Sequence, residues 1–394
     1  MRVRRRWAER HPDRRRRLAH PVISVGNLSV GGTGKSPIVA AIANFLVAQG
    51  ERPSILSRGY ARADAVDGVV VVSDGTRVLA TIDRAGDEPL MLARQVPGAA
   101  VCVSPDRHLA GTLAERQLGC TVHVLDDGFQ HIELARDLDI LVTTVGEIPQ
   151  GRVLPMGRLR EPIDAASRAH VLVVSGATAG AAAAEAWALG ISQACGALRS
   201  LVAPLAIRRE GGEAHLVGRD HEGLGRDHDG LGRDDGGLGR VLTVAGIANP
   251  ERFVDSLETE GWSIADSITF ADHHRYTVQD VDRIAAKLRE CGATSVVTTD
   301  KDSVRFEALG PLPFPLYRVP LVVEFDPPVR TIDRIEHQAK QAAPCPDERL
   351  RQPARDGPHR DDGPKLESIP HASTARTDSK ITSGGSNSTT SGTR

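Results

Sequence analysis

The residues with the clearest chemical consequence run Ser29-Val30-Gly31-Gly32-Thr33-Gly34-Lys35-Ser36. Glycines at this density let successive backbone N–H groups turn inward around an anion. Lys35 then suits the β and γ phosphates of a nucleotide, and the Ser36 hydroxyl suits a bound Mg²⁺. An apolar run, PVISVGN, precedes the segment and SPIVAAIANFLVAQG follows it. A strand should therefore lead into the loop and a helix out of it. The helix N-terminus adds partial positive charge where phosphate would sit. Loops of this kind normally open on Gly, and here Ser29 takes that place.

Carboxylates supply the second chemistry. TVHVLDDGFQH reads as an alternating apolar strand ending on Asp126 and Asp127. Adjacent carboxylates repel each other, and an acid at such a strand end holds Mg²⁺ in P-loop proteins. The same pair also fits a solvated Asp-Asp-Gly turn. In AGDEP, Asp87 and Glu88 open a helix. They fit ordinary favourable charge at a helix start, or a general base that accepts the proton of an attacking hydroxyl. FADHHRY clusters Asp272, His273 and His274. The histidines could ligate a metal, although no third ligand stands at helical spacing. A histidine beside an aspartate also suits the orientation of a catalytic carboxylate. His131 reads as a loop-orienting residue rather than a ligand.

These residues need a scaffold, and the pattern around them supplies one. RPSILSRGY, VDGVVVVSDG, AAVCVSPDR, CTVHVLDDG, LDILVTTVG and RAHVLVVSG read as strands. DEPLMLARQVPG and HLAGTLAERQLG read as helices between them, and an Ala-rich helix follows RAHVLVVSG. Strand–helix alternation predicts a mostly parallel sheet with helices on both faces, of the P-loop NTPase type. From Val241 the α/β pattern resumes as a second, smaller domain. Its strands are VLTVAGIANP, TSVVTTDKDS (a strand and a loop) and a last strand in YRVPLVVEFD; its helices are ERFVDSLETEG and VQDVDRIAAKLRECG. The expected organisation is a basic segment at 1–20, a P-loop domain at 21–205, a linker at 206–240, the second domain at 241–335 and a disordered tail at 336–394. The linker carries a near-perfect seven-residue repeat at 218–240 (GRDHEGL, GRDHDGL, GRDDGGL, GR). With one Leu per unit it lacks the apolar positions of a coiled coil. It reads as an insertion in a surface loop, and His221 and His228 give it a weak metal-binding alternative.

Composition excludes several classes. The chain has 394 residues, 40% hydrophobic and 25% charged, in the range of soluble globular proteins. Aromatic residues make up 3%, so the core must be aliphatic. Net charge is −2, yet the first twenty residues hold nine arginines against Glu9 and Asp13. Overall charge does not suggest a nucleic-acid partner. The five cysteines form no CxxC pair, so neither a zinc site nor a disulfide framework is expected, and a reducing compartment fits. No segment reads as a spanning helix or a signal peptide.

The ordered set SVGNLSVGGTGKSP, SRGY, GDEP, SPDR, LDDGFQH, LPMGRLREP, AGIANPERF, DHHRY and TTDKDS resembles the tetraacyldisaccharide 4'-kinase family. It covers about residues 21–325. The resemblance implies transfer of the ATP γ-phosphate to the 4'-hydroxyl of a tetraacylated glucosamine disaccharide 1-phosphate, giving lipid IVA on the way to lipid A. It implies two α/β/α domains with the active site in the cleft between them. Carried over by motif, Ser29, Val30, Gly31, Gly32, Thr33, Gly34, Lys35 and Ser36 would bind ATP. Asp87 would be the base, paired with His273. Ser36, Asp126 and Asp127 would serve Mg²⁺. Arg58, Arg160 and Glu161 would line the phosphate and acceptor region.

The resemblance also implies work at the cytoplasmic face of the inner membrane of a Gram-negative-type bacterium. Family members carry an apolar N-terminal anchor, and this chain opens on arginines instead. That segment is expected either to make a peripheral, salt-sensitive contact with anionic headgroups or to be a basic linker. The competing reading is a P-loop switch ATPase without lipid kinase activity. Such chains often carry an extra lysine just before the Gly-Gly, where Val30 stands here. A metal-insertion chaperone would need a stronger Cys or His cluster, and nothing favours an inactive binding protein.

Overall fold

A computed structural model describes residues 10–11, 14–59, 68–147, 152–210, 213–217 and 238–327. Most of the repeat, with His221 and His228, lies outside the described residues, as do residues 1–9 and the predicted tail at 336–394.

The first lobe is built on β1 (Val22–Gly26), β2 (Pro53–Ser57), β3 (Val70–Asp74), β4 (Ala100–Val103), β5 (Val122–Asp126), β6 (Leu138–Thr144), β7 (Val171–Ser175) and β8 (Ala194–Leu201). They lie in the order β8-β7-β6-β1-β5-β2-β4-β3, parallel except for β3 against β4. β1 is buried at every residue and carries no alternation, as a central parallel strand should. It lies between β5 and β6. Strand order reverses there, which opens a crevice at the carboxyl ends of the strands.

Alternate residues of these strands feed two apolar layers. Ile23, Val25, Val124, Ile140 and Val142 join one cluster with α1 (Lys35–Ala48); α2 is the single turn Ile82–Ala85, and α3 (Asp87–Gln95) joins the same cluster. α1 buries Ile38, Val39, Ile42, Ala43 and Leu46, the one-face spacing of an amphipathic helix. Val22, Leu56 and Leu125 face the opposite side with α4 (Arg107–Leu118). Leu141, Leu172 and Val174 face it with α5 (Ala179–Leu189). Each fully buried Ile or Leu contributes about 1.5–3 kcal/mol. Helices thus cover both faces, as the sequence predicts.

The second lobe is a sheet of β9 (Leu205–Glu210), β10 (Glu213–Val217), β11 (Val241–Ala245), β12 (Ile264–Thr269), β13 (Ser295–Thr299) and β14 (Leu316–Val319), in the order β10-β9-β14-β13-β11-β12. Its helices are α6 (Pro250–Thr259), α7 (Val278–Cys291) and α8 (Asp300–Phe306). Its core concentrates the aromatic residues. Tyr276 stacks on Phe306 with centroids 3.9 Å apart, and Phe314 joins the same cluster.

Three local expectations change. TSVVTTDKDS continues from a strand into a helix rather than a loop, because the Thr299 side chain caps α8 by accepting from Asp302 N. YRVPLVVEFD is two strands, not one. Pro320 cannot donate to a ladder, and the chain leaves the second sheet there. β15 (Leu321–Asp326) then pairs antiparallel with β8 at the edge of the first sheet. Leu205–Glu210 and Glu213–Val217, in or at the border of the expected linker, pair as an antiparallel β9–β10 ladder.

Candidate active site

The phosphate loop leaves the carboxyl end of β1 and enters α1 at Gly34, whose φ is +80°. That left-handed conformation favours glycine. Space demands glycine too, since a Cβ there would lie 2.8 Å from Arg199 Nη2 and 3.0 Å from Ser175 Oγ. Asn27 Nδ2 braces the loop from below by donating to Thr33 Oγ1 at 3.1 Å. Ser29 is turned away from the loop centre, its hydroxyl donating to Glu147 Oε1 at 2.6 Å. Arg158 closes the outer side, donating from Nη2 to the Val30 carbonyl at 2.9 Å. Backbone turn, helix start and nearby arginines together make an anion cradle.

The paired aspartates at the end of β5 divide in behaviour. Asp127, with φ +53°, accepts from Arg160 Nη1 at 2.6 Å and lies 3.5 Å from Lys35 Nζ. Burial would raise its pKa, but Lys35 and Arg160 outweigh burial and hold the carboxyl below the usual range. Asp126 is buried, and its Oδ2 accepts from Ser57 Oγ at 3.3 Å. Burial, then repulsion from Glu88 and Asp127, pushes it up to about 7 despite Lys35 and Arg107. A buried carboxyl left short of positive charge beside a serine hydroxyl is a donor set that suits a hard divalent cation. Among the described residues no cluster of three or more His, Cys, Asp or Glu is arranged for a metal.

The second chemical group comes from both lobes. Asp87 opens α3 in the first lobe, and His273 lies in the loop after β12 in the second. His273 Nδ1 is 2.9 Å from Asp87 Oδ2. The same oxygen accepts from Arg305 Nε at 3.0 Å and from Arg305 Nη2. Burial alone would raise Asp87, but His273, Lys301 and Arg305 together hold it well below the usual carboxylate range. Arg305 is itself buried and also donates to the Gly246 carbonyl and to Asp302 Oδ1. Lys301, on the same helix α8, lies 3.3 Å from Glu88 Oε1 and 3.2 Å from His273 Nε2. Glu88 also repels the Asp126 carboxylate, which couples the two charged groups electrostatically.

Lys35, Asp126, Asp127 and Arg160 are thus gathered at the phosphate loop, and Asp87 and His273 meet across the lobes. Glu161 is buried behind Arg160, and Arg58 is exposed at the end of β2. His274 goes elsewhere, with Nε2 3.0 Å from Asp280 Oδ2 and its ring stacked on Phe270. His273 and His274 therefore do not face a common ligand.

Residue-level reading missed Arg107, Arg199, Lys301 and Arg305. Arg107 is buried at the start of α4, and burial lowers its pKa to about 10, with Asp126 pulling the other way. Arg107 stands in SPDR and Lys301 in TTDKDS, and those motifs were the available signal. Arg199 and Arg305 belong to no quoted motif.

Comparison with known proteins agrees with this geometry. The sequence profile described as Tetraacyldisaccharide-1-P 4'-kinase matches residues 1–338. A tetraacyldisaccharide 4'-kinase of Geobacter metallireducens is 40% identical over 304 residues, covering 75% of this chain and 81% of the relative. The protein of the same name from Geobacter sulfurreducens is 40% identical over 297 residues, covering 74% and 76%. The crystal structure of LpxK from Aquifex aeolicus, in complex with ATP, superposes with a TM-score of 0.64 at 26% identity, covering 86% of this chain and 94% of that one. With a profile match over most of its length and relatives at this identity, the chain belongs to the tetraacyldisaccharide-1-P 4'-kinase family.

Proposed function

We propose that this chain transfers the γ-phosphate of ATP to the 4'-hydroxyl of a tetraacylated glucosamine disaccharide 1-phosphate. The observation that carries this reading is an anion cradle in the first lobe together with a carboxylate–imidazole pair that joins the two lobes. Phosphoryl transfer demands positioning and charge neutralisation more than covalent chemistry. Residues 29–36 would hold the triphosphate through backbone N–H groups. Lys35 would leave Asp127 for the β and γ oxygens, while Arg160 keeps Asp127 in place. Ser36 and Asp126 would hold Mg²⁺, with Asp127 beside them, and the cation would supply neutralisation of phosphate charge.

Asp87 and His273 would receive the proton of the acceptor hydroxyl as one unit. Asp87 Oδ2 is already filled by three donors, from Arg305 and His273, and its Oδ1 accepts from Glu88 N at 2.9 Å. Joining the pair across two lobes would make closure a condition for reaction and exclude water that could hydrolyse ATP. Arg58, Arg160 and Glu161 would border the acceptor.

A lipid acceptor is consistent with the turn Val153-Leu154-Pro155-Met156, which exposes large apolar side chains between Arg152 and Arg158 beside the phosphate loop. No helix among the described residues is long and apolar enough to cross a membrane. We infer peripheral contact with the inner membrane at its cytoplasmic face, where this substrate would be met.

The test is transfer of labelled γ-phosphate to the tetraacyl disaccharide 1-phosphate in detergent micelles, with Mg²⁺ or with EDTA. Mg²⁺-dependent lipid phosphorylation should fall about 10²–10³-fold in Lys35→Met. It should fall about 10²–10⁴-fold in Asp87→Ala, with ATP affinity nearly unchanged. ATP hydrolysis without lipid product would replace this reading with a switch ATPase.

A further inference from the structure

The surroundings of His273 carry more information than the pair with Asp87. An ammonium group can only donate hydrogen bonds, and a neutral imidazole donates from one nitrogen and accepts at the other. Lys301 Nζ lies 3.2 Å from His273 Nε2, so Nε2 is the acceptor and the ring proton sits on Nδ1. Nδ1 is the atom that faces the Asp87 carboxylate at 2.9 Å, where a donor is required. Two independent partners, one from each side of the ring, therefore demand the same tautomer. The backbone supports the placement: His273 is held at φ +60°, and its N–H donates to Asp272 Oδ1 at 3.0 Å. A non-glycine residue keeps that conformation only where its surroundings over-determine it.

Lys301 is well placed to act this way because it is itself fixed. Its side chain is 15% exposed and stands among Asp272 Oδ1 at 3.1 Å, Glu88 Oε1 at 3.3 Å and Asp87 Oδ2 at 4.0 Å. Arg305, one turn further along α8, already neutralises Asp87 and Asp302. Arg305 is closer to Asp87 than Lys301 is, and the ammonium of Lys301 makes its nearer contacts with Asp272, Glu88 and the imidazole. Asp87 from α3, Asp272 from its own loop and Lys301 from α8 contact the His273 ring, with Glu88 beside Lys301 and Arg305 beside Asp87.

We propose that Lys301 is a positioning residue of the phosphoryl transfer: it holds the His273 imidazole as the Nδ1–H tautomer, keeping Nε2 unprotonated as the site that will accept the hydroxyl proton. This rests on the kinase reading given above. Lys301 yields Nε2 to the incoming acceptor and is retained by Asp272 and Glu88. It acts through His273 and itself transfers neither proton nor phosphate.

The experiment uses the full chain with ¹⁵N-labelled histidine, without ATP or lipid, and identifies the His273 ring signals with His273→Gln. The wild-type ring should give the Nδ1–H pattern. In Lys301→Met, Nε2 faces the Asp272 carboxylate at 3.7 Å without the opposing ammonium, so the ring should gain a proton on Nε2 while Asp87 keeps the one on Nδ1, with kcat lowered about tenfold or more and the KM for ATP within about twofold. Lys301→Arg, which restores a donor, should return both the wild-type ring pattern and much of kcat. If Lys301→Met does not fold, Lys301→Gln gives the same readout, because its amide oxygen can accept from Nε2–H. Unchanged ring signals in a folded Lys301→Met or Lys301→Gln would overturn the proposal. So would a loss of kcat with the ring still protonated on Nδ1 alone. If the wild-type chain fails to phosphorylate the lipid, the functional reading falls while the ring signals still decide the hold on His273.

Discussion

The two lobes build their share of the crevice by different means. The first lobe offers a backbone cradle: glycines, a helix start and a lysine already paired with Asp127. The second lobe offers side chains locked in a buried network, in which Asp302 accepts from Arg305, Tyr276, Thr299 and Gly246 N. Their cores differ likewise. The fully buried residues of the first are aliphatic apart from Phe129, while the second stacks Tyr276 on Phe306 of α8. The contrast suits a division of labour. A charge that comes and goes with each turnover meets an adaptable, partly open loop, whereas charges that must stay in place are held by satisfied, buried partners.

The largest effect should come from breaking the fixed network. Arg305→Leu leaves Asp87 and Asp302 buried without their cation, and should cost about 3–5 kcal/mol of stability in denaturant unfolding. By contrast, Arg16→Ala removes the half-exposed pair with Asp106 in the first lobe and should cost about 0–1 kcal/mol. Equal costs would erase the distinction between the lobes.

Acid should discriminate next. Asp87 is held below its ordinary value in the folded chain, so its ionised form contributes stability that is complete above about pH 4 and is lost as pH falls further. Unfolding free energy measured from pH 6 down to pH 2 should decline less steeply in Asp87→Asn than in wild type. An unchanged slope would mean that Arg305 and His273 stabilise the carboxylate less than their geometry implies.

The smallest effect sharpens the comparison by leaving chemistry alone. Thr277 and Asp280 form a reciprocal cap at the start of α7. Thr277→Ala should cost about 1 kcal/mol of stability with kcat unchanged. A parallel loss of kcat would show that the second lobe's frame and its charges are not separable.

Legibility in the sequence follows the same division. The phosphate loop was readable because strand, glycines, lysine and helix are contiguous, so local spacing encodes three-dimensional placement. Asp87 and His273 were readable as a pair only through the family resemblance, since 186 residues separate them. Arg305 was not readable at all: its value lies in reaching Gly246, Asp302 and Asp87 at once. The split of YRVPLVVEFD was signalled by Pro320, but that residue says only that a ladder stops, not which sheet receives the next strand. The β9–β10 ladder was hidden because its residues border the repeat and mix charge with short apolar stretches.

That last strand has a consequence for how the molecule is made. β15 pairs along β8 from Leu321–Leu201 to Asp326–Gly196, and Val323 and Phe325 pack against the first lobe's main core. The edge of the sheet that carries the phosphate loop therefore stays uncovered during synthesis until residue 326 has left the ribosome, after the whole second lobe. Pairings this distant in sequence form slowly, and an uncovered edge invites association with other chains. A ribosome-stalled chain ending before Leu321 should thus present β8 to chaperones, and release of the final six-residue strand should be the step that closes the sheet.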